Sequence, residues 1–513
     1  MILATSQTAA RRGRGVAFAA ALGAIAATGQ APLGWAWVSL AAWAVALGSL
    51  SRIEAWRVAA WRGWALGAGY FAASLFWIVE PFMVDPARDG WMAPFALVLM
   101  AGGLALFWAV ASGLAIGLGR GARSRGLLLV SAFAAAEMLR SVVFTGFPWA
   151  LIGHIWIGWP QMQLAALAGA HGLTLLTLLA AAMPVLFGPR RLVAGVVAGA
   201  ALAALPALFA MRHVPAGAAV PADPAVTVRV VQPNAAQHLK WLPEMIPVFF
   251  QRQIALTAAP PAAGGRRPDV VVWPETAVPE LLRFAGPAFE QMAAAAGGAE
   301  VVAGVQRQDQ IGRWFNSLVV LGPDGGVTAL YDKHHLVPFG EYMPFMDLFA
   351  GWGIFGLAAQ DTGGYASGPG PQLIDLKAAG TALPLICYEA IFPGDIARAP
   401  GRADWLVQIT NDSWFGSLSG PYQHLALARL RAVEQGLPLV RSAQTGVSAV
   451  IDPYGRVVAS VPLKVEGFAD AALAAPLKPT PYVRFGDWPA RVLCAMLALF
   501  GLALRRWHPG VCS

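Results

Sequence analysis

Leu383-Pro384-Leu385-Ile386-Cys387-Tyr388-Glu389 reads as a buried apolar strand that runs out onto a cysteine and into a polar turn. Two other segments share that form: Val270-Val271-Val272-Trp273-Pro274-Glu275, and Val407-Gln408-Ile409-Thr410-Asn411-Asp412-Ser413-Trp414-Phe415-Gly416. Short apolar or β-branched runs bounded by Pro, Gly, Asn or Asp are strand signals. In open α/β sheets the loops that follow such strands gather the chemistry. A fourth polar run, Tyr331 to Tyr342, follows a turn signal at Gly322 to Gly326 and places Lys333 and Glu341 in an irregular loop punctuated by Pro and Gly.

Outward from these segments, Val226 to Gln232, Val270 to Trp273, Val301 to Val305, Leu318 to Leu321, Leu383 to Cys387, Leu406 to Thr410 and Val447 to Ile451 read as strands. Pro279 to Ala296 and Tyr422 to Gln435 read as helices. Such alternation predicts a layered α/β domain over 225–475, long enough to bury its own core. Pro215 to Pro224, rich in Pro, Ala and Gly, reads as the linker into it, and Ala474 to Asp487 as the linker out.

The rest of the chain is of another kind. Of 513 residues 57% are apolar and 12% charged, and the mean hydropathy is +0.57, which places the chain in a membrane. Nearly uncharged stretches fill 1–214: Val16 to Ala27, Leu33 to Leu50, Trp64 to Val79, Met92 to Leu118, Leu127 to Leu139, Leu164 to Phe187 and Leu192 to Met211. Another, Trp488 to Leu504, lies in 486–513 with a short tail after it. A span needs ~20 apolar residues to cross ~30 Å of hydrocarbon, so the first and fifth are short and the expected count is about eight.

Charge sets the expected orientation. Arg11, Arg12 and Arg14 precede the first span, and every second loop is basic: Arg52, Arg57 and Arg62, then Arg120, Arg123 and Arg125, then Arg190 and Arg191. The loop from Glu80 to Asp89 is net acidic. By the positive-inside rule both termini are cytoplasmic and 225–475 lies on the outer, periplasmic face. The net charge of +8 is scattered rather than gathered into a basic, aromatic-interleaved stripe, which argues against a nucleic-acid partner. A cleaved signal peptide would suit the first apolar run but puts the later spans out of register.

The chain has three cysteines, and this topology puts Cys494 in the last span and Cys512 in the cytoplasmic tail. Cys387 is then alone outside, with no disulfide partner in its domain. Taken by itself it stands level between a small buried hydrophobe and a nucleophile. A nucleophilic thiol needs a base and a cationic or donor-rich setting, and Glu275 and Lys333 supply that combination. Each alone reads as a helix-start carboxylate or a solvated cation. Pairing Cys387 with His335 or His424 would suit a papain-like hydrolase, and His334 or His335 with Glu341 a metal site. No H-x-x-x-H spacing supports either, and no metal or cofactor is expected.

At this point the residues resemble the nitrilase superfamily, which uses a Glu-Lys-Cys triad at strand ends in a four-layer α-β-β-α sandwich. Within it, Pro274-Glu275-Thr276, the run Tyr331 to Tyr342, Cys387-Tyr388-Glu389, Asn411 to Gly416, Gln423-His424 through Arg429, Arg431 and Glu434 to Thr445-Gly446, and Gln232-Pro233-Asn234 with Lys240-Trp241 look like the apolipoprotein N-acyltransferase family. That family also has eight spans, with the nitrilase-like domain before the last. Phe315 and Ser413 depart from its commoner Tyr and Ala.

The resemblance implies transfer of an acyl chain from a phospholipid to the α-amine of a diacylated apolipoprotein in the bacterial inner membrane. Glu275, Lys333 and Cys387 would be the triad, Glu341 would orient Lys333, and Trp241, Tyr388, Glu389, Trp414 and Phe415 would meet substrate. A monomer is expected. The rivals are a membrane-tethered amidase, which would send the same thioester to water, and a transporter, which should show paired intramembrane charges. The spans hold few beyond Glu137, read with Arg140 as a local interfacial pair, while Phe147-Pro148-Trp149 reads as an outer-loop segment able to face the substrate entrance or anchor at the interface.

Overall fold

The computed structural model describes residues 2–222, 225–261, 265–344, 364–377 and 379–506. The expected tail with Cys512, and the last two residues of the linker into the α/β domain, lie outside them. The chain divides into two compact units. One is helical and takes in Met1–Val79, Trp91–Val214 and Thr480–Ser513; the other takes in Glu80–Gly90 and Pro215–Pro479.

In the helical unit, helices cover every apolar stretch picked out above: Ile2–Ala27, Ala36–Ser51, Trp56–Ser74, Ala93–Leu118, Gly121–Arg140, Ala165–Phe187, Leu192–His213 and Trp488–Arg506. Among the described residues four segments are long and apolar enough to cross a bilayer: Pro86–Leu118, Pro160–Phe187, Pro189–His213 and Trp488–Arg505. Trp56–Ser74 continues into Phe76–Met83 through a 48° bend and makes a fifth if the pair is one span. Lipid offers no hydrophobic drive to join helices, so close backbone approach must do it. A Cβ on Gly69 would fall 2.0 Å from the Ala20 carbonyl oxygen, which is why glycine stands where Ile2–Ala27 crosses Trp56–Ser74.

Glu137 and Arg140 form the local pair expected of them, salt-bridged at 2.8 Å, and both are buried, at 0% and 2% exposed. Arg140 also donates to the carbonyls of Phe147, Trp149 and Ala150 at 2.6–3.1 Å, because backbone outside a helix must find donors and acceptors within the fold. Trp149 is therefore buried, packed on Trp77 with centroids 4.7 Å apart, and is no surface anchor.

The second unit contains two 6-stranded sheets. We number the strands β1 (Thr227–Gln232), β2 (Val270–Val272), β3 (Glu300–Gln308), β4 (Trp314–Leu321), β5 (Val327–Asp332), β6 (Ile374–Leu376), β7 (Gly380–Ile386), β8 (Trp405–Thr410), β9 (Leu439–Ala443), β10 (Ser448–Ile451), β11 (Val457–Val461) and β12 (Gly467–Ala472). The orders are β12-β1-β2-β3-β4-β5 and β11-β10-β9-β8-β7-β6. In each sheet three central neighbours are parallel: β1-β2-β3 and β7-β8-β9.

Alternate side chains of one strand point to opposite faces, and here both faces are apolar. Val270, Val272, Val302, Leu318 and Val320 share one core with Ile386, Trp405, Val407 and Ile409 of the other sheet. Val271, Val301, Ala303 and Val319 pack instead with Phe250, Phe289 and Met292 of the helices Ile246–Ala258 and Gly286–Ala296. Leu383, Leu385 and Leu406 pack with Ala428 and Ala432 of Gly420–Gln435. The ends differ from expectation at one residue that matters: β7 stops at Ile386, and Cys387 begins a short 3-10 turn, Cys387–Ile391.

Candidate active site

Glu275 follows β2, Lys333 follows β5, and Cys387 follows β7, so three strand ends from both sheets deliver them to one place. All are buried: Glu275 5%, Lys333 1%, Cys387 6% exposed. The Lys333 Nζ lies 2.9 Å from Glu341 Oε1 and 3.6 Å from Glu275 Oε1. Burial works against its charge, but the Glu341 and Glu275 carboxylates and the Cys387 sulfur outweigh it and raise its pKa, so it stays cationic. Burial, and next the Glu275 charge, push the Cys387 thiol up while Lys333 pulls it down; the resting sulfur is protonated.

Each carboxylate is held on both oxygens. Glu275 accepts from Asn316 Nδ2 at 2.6 Å and from the Asn411 backbone N–H at 2.7 Å. Glu341 accepts from Lys333, from Asn316 Nδ2 at 3.2 Å, and from the Val337 N–H at 2.9 Å. Asn316 thus bridges both carboxylates. On the far side of Glu275, Gln444 Nε2 donates to its carbonyl at 2.8 Å, and Lys240 Nζ to Thr276 Oγ1 at 2.5 Å. Burial brings Lys240 down to about 7, against the pull of the Glu275 charge. Lys240 lines a small, partly open pocket together with Trp241, Phe249, Phe250, Gln253 and Pro279.

Cys387 itself has φ +52°, a left-handed conformation costly for any residue with a Cβ. The turn after it is fixed by Glu389, which is fully buried. Its Oε2 accepts from the Ile386 N–H at 2.7 Å, and its Oε1 from the N–H groups of His334 and His335 and from the Tyr331 hydroxyl at 2.8–3.2 Å. That carboxylate is spent within the fold. Tyr388 is buried edge-on to His335 and Phe392. Trp241 is 40% exposed, Trp414 is half-buried, and Phe415 packs on the inter-sheet core. The two histidines considered as partners for the thiol do other work: His335 Nδ1 pairs with Asp395 at 2.8 Å, and His424 reaches the Cys387 carbonyl rather than its sulfur.

Asn316, Gln408, Thr410 and Arg441 are visible in the sequence only as polar residues inside strands buried on both faces, as in Phe315-Asn316-Ser317 or Val407-Gln408-Ile409-Thr410, while Asp412 lies just past β8.

Residues 224–482 of this chain match the carbon-nitrogen hydrolase family. Residues 22–183 match the apolipoprotein N-acyltransferase N-terminal domain. Proteins named apolipoprotein N-acyltransferase are similar over most of their length. That of Sinorhizobium fredii is 39% identical over 80% of this chain and 79% of its own; that of Rhodopseudomonas palustris is 39% identical over 88% and 87%; and that of Caulobacter vibrioides is 40% identical over 83% and 82%. The chain belongs to the apolipoprotein N-acyltransferase family.

Proposed function

We propose that this chain transfers an acyl chain from a membrane glycerophospholipid to the α-amino group of the N-terminal diacylglyceryl-cysteine of lipoproteins, through a thioester on Cys387. The observation that carries the reading is the buried cluster of Glu275, Lys333 and Cys387 in a chain that also has lipid-spanning helices. In the first half-reaction Glu275 takes the thiol proton, the thiolate attacks the ester carbonyl, and Lys333 with backbone N–H groups of the following turn steadies the oxyanion. Glu275 then protonates the departing lysophospholipid. In the second half the lipoprotein amine gives its proton to Glu275 and attacks the thioester, which releases Cys387.

The raised pKa of Cys387 fits a thiol that is deprotonated only when an electrophile is in place. Glu341 keeps Lys333 aimed, and Asn316 bridges the two carboxylates. Trp241, Trp414, Phe415 and Tyr388 supply the apolar surface an acyl chain needs, whereas Glu389 acts by holding the nucleophile's turn. The reading includes eight spans over 1–214 and 486–513, a four-layer α-β-β-α catalytic domain over 225–475 on the periplasmic face of the inner membrane, cytoplasmic termini and a monomer. The apolar platform favours a lipid-anchored amine over water as acceptor, since a hydrolase of soluble amides has no use for it.

Purified protein with labelled phospholipid and a diacylated lipopeptide tests this. Wild type should form a labelled acyl-enzyme and a triacylated product by mass spectrometry, and Cys387→Ser should form neither. A Cys387→Ser protein still labelled by phospholipid would sink the scheme, and free fatty acid without triacylated product would turn it into a hydrolase.

A further inference from the structure

One buried cationic side chain of the catalytic unit has no part in the scheme above. Lys240 ends the short helix Gln237–Lys240 and is 6% exposed. Among the described residues no carboxylate forms an ion pair with it. Its Nζ donates to Thr276 Oγ1 at 2.5 Å and to the Glu275 carbonyl at 3.4 Å, and lies 5.1 Å from the centre of the Trp241 ring. Taking a lysine head group out of water is costly unless its hydrogens find acceptors, and a Met would fill much the same space without that cost. Charged or neutral, the group has an N–H for each of the two acceptors.

Both acceptors belong to the turn that carries the general base. Thr276 has φ +46°, in the left-handed region that β-branched residues avoid most strongly. The turn rests on β3: the Gly304 N–H donates to the Pro274 carbonyl at 3.2 Å, and the Gly304 carbonyl accepts from the Ala277 and Val278 N–H groups at 2.9 and 3.1 Å. A Cβ on Gly304 would stand 2.4 Å from the Thr276 nitrogen and 2.7 Å from Glu275 Cα, so glycine is what lets β3 come this close. Backbone bonds thus fix Pro274, Ala277 and Val278, on either side of the strained pair. Between them, the Glu275 carbonyl is held by Gln444 Nε2 at 2.8 Å and by Lys240, and the Thr276 hydroxyl by Lys240.

We propose that Lys240 is a positioning residue for the general base: by its hold on the Thr276 hydroxyl and the Glu275 carbonyl it keeps the left-handed turn in the conformation that aims the Glu275 carboxylate into the catalytic cluster. Asn316 and the Asn411 N–H hold the carboxylate end of the same side chain, so Glu275 is gripped at both ends. Proton transfer needs its partners within hydrogen-bond reach, and a small shift of the turn carries the carboxylate out of it. Lys240 touches neither the thiol nor the ester in this role. Trp241, the aromatic expected to meet substrate, lines the same pocket as Lys240, Thr276 and Gln444, so substrate wall and base share one support.

The proposal rests on Glu275 as acid and base to Cys387, and a comparison of leaving groups tests the two separately. Acyl-enzyme formation is followed in full-length protein in detergent with a phospholipid, whose alkoxide must be protonated as it leaves, and with a p-nitrophenyl ester of the same acyl chain, whose phenolate leaves unaided. Lys240→Met should slow acylation by phospholipid about tenfold to a hundredfold at an unchanged half-saturating concentration, and acylation by the p-nitrophenyl ester markedly less. Thr276→Val should show the same pattern and Thr276→Ser should stay near wild type. The double variant should be little worse than Lys240→Met alone, since both changes remove one contact. Equal losses on the two esters, or a raised half-saturating concentration in place of a slower rate, overturn the role of Lys240. So does a Thr276→Ser protein as impaired as Thr276→Val, a comparison that stands even where Lys240→Met does not fold. Glu275→Gln without any preference for the better leaving group, or acyl-enzyme on Cys387→Ser, instead removes the reading beneath the proposal.

Discussion

Two buried ion clusters, one in each unit, use the same residue types to opposite ends. In the helical unit, Glu137 receives Trp108 Nε1, Arg140 Nε and Nη2, and the Ile152 N–H, all at 2.8–3.2 Å, and Arg140 spends its remaining donors on three carbonyls. One negative charge meets one positive, and every polar atom has a partner. Around Lys333 the balance is different: two carboxylates share one ammonium, one of them at 3.6 Å, and a protonated thiol stands beside them. A saturated pair resists change, since moving either member strands the other in a poor dielectric. An unbalanced one has somewhere for a proton to go. Saturation, more than burial, separates the clamp from the proposed site.

The largest effect should come from breaking the clamp. Arg140→Met leaves Glu137 charged and unpaired and releases the carbonyls of Phe147 to Ala150, which should cost about 3–5 kcal/mol. Thermal unfolding in detergent measures it, and Glu137→Leu with Arg140→Met should regain most of the loss. A single variant as stable as wild type would mean that the pair holds nothing. Next in size, Asn316→Ala removes the bridge between Glu275 and Glu341 at the working site. Turnover should fall about tenfold to a hundredfold with KM little altered and the unfolding temperature nearly unchanged. A loss of stability in place of turnover would put Asn316 with the clamp.

How far the sequence shows these clusters depends on where their residues stand. Glu275, Cys387 and Asn411-Asp412 follow β2, β7 and β8, whose apolar runs announce both the strand and its end. Lys333 follows β5, Val327-Thr-Ala-Leu-Tyr-Asp332, which is exposed over its first half and shows no clean alternation, so its setting reads as loop. β9, Leu439-Val-Arg-Ser-Ala443, hides for the opposite reason: Arg441 looks like a surface residue but is buried against Asp412. β12, with Gly467 and three alanines, has little strand propensity and is supplied by pairing to β1. Asn316 sits within a strand, where nothing marks a polar residue as aimed at two carboxylates from distant segments. In the helical unit apolarity gives the eight long helices but not Pro481–Phe485, which falls in the stretch read as a linker, and Glu137 and Arg140 betray their depth only through contacts with the chain beyond the helix end.

A third cluster shares features of both, and the smallest prediction asks with which it belongs. His334 Nδ1 lies 2.7 Å from Glu389, the carboxylate that fixes the Cys387 turn, and Nε2 lies 3.4 Å from Asp395. Burial opposes the charge on its ring, but hydrogen bonds to Asp395 and Glu389 and their charges push its pKa from 6.5 up to about 9. A group whose pKa rises on folding binds protons more tightly in the native state, so its stabilisation is full below about 6.5 and disappears as pH climbs through about 9. His334→Gln should therefore lower the unfolding temperature by a few degrees at pH 6, and the gap to wild type should close above pH 9. If instead the gap is flat across that range while turnover gains a new pH dependence, His334 acts on the thiol's surroundings, and this cluster belongs with the site.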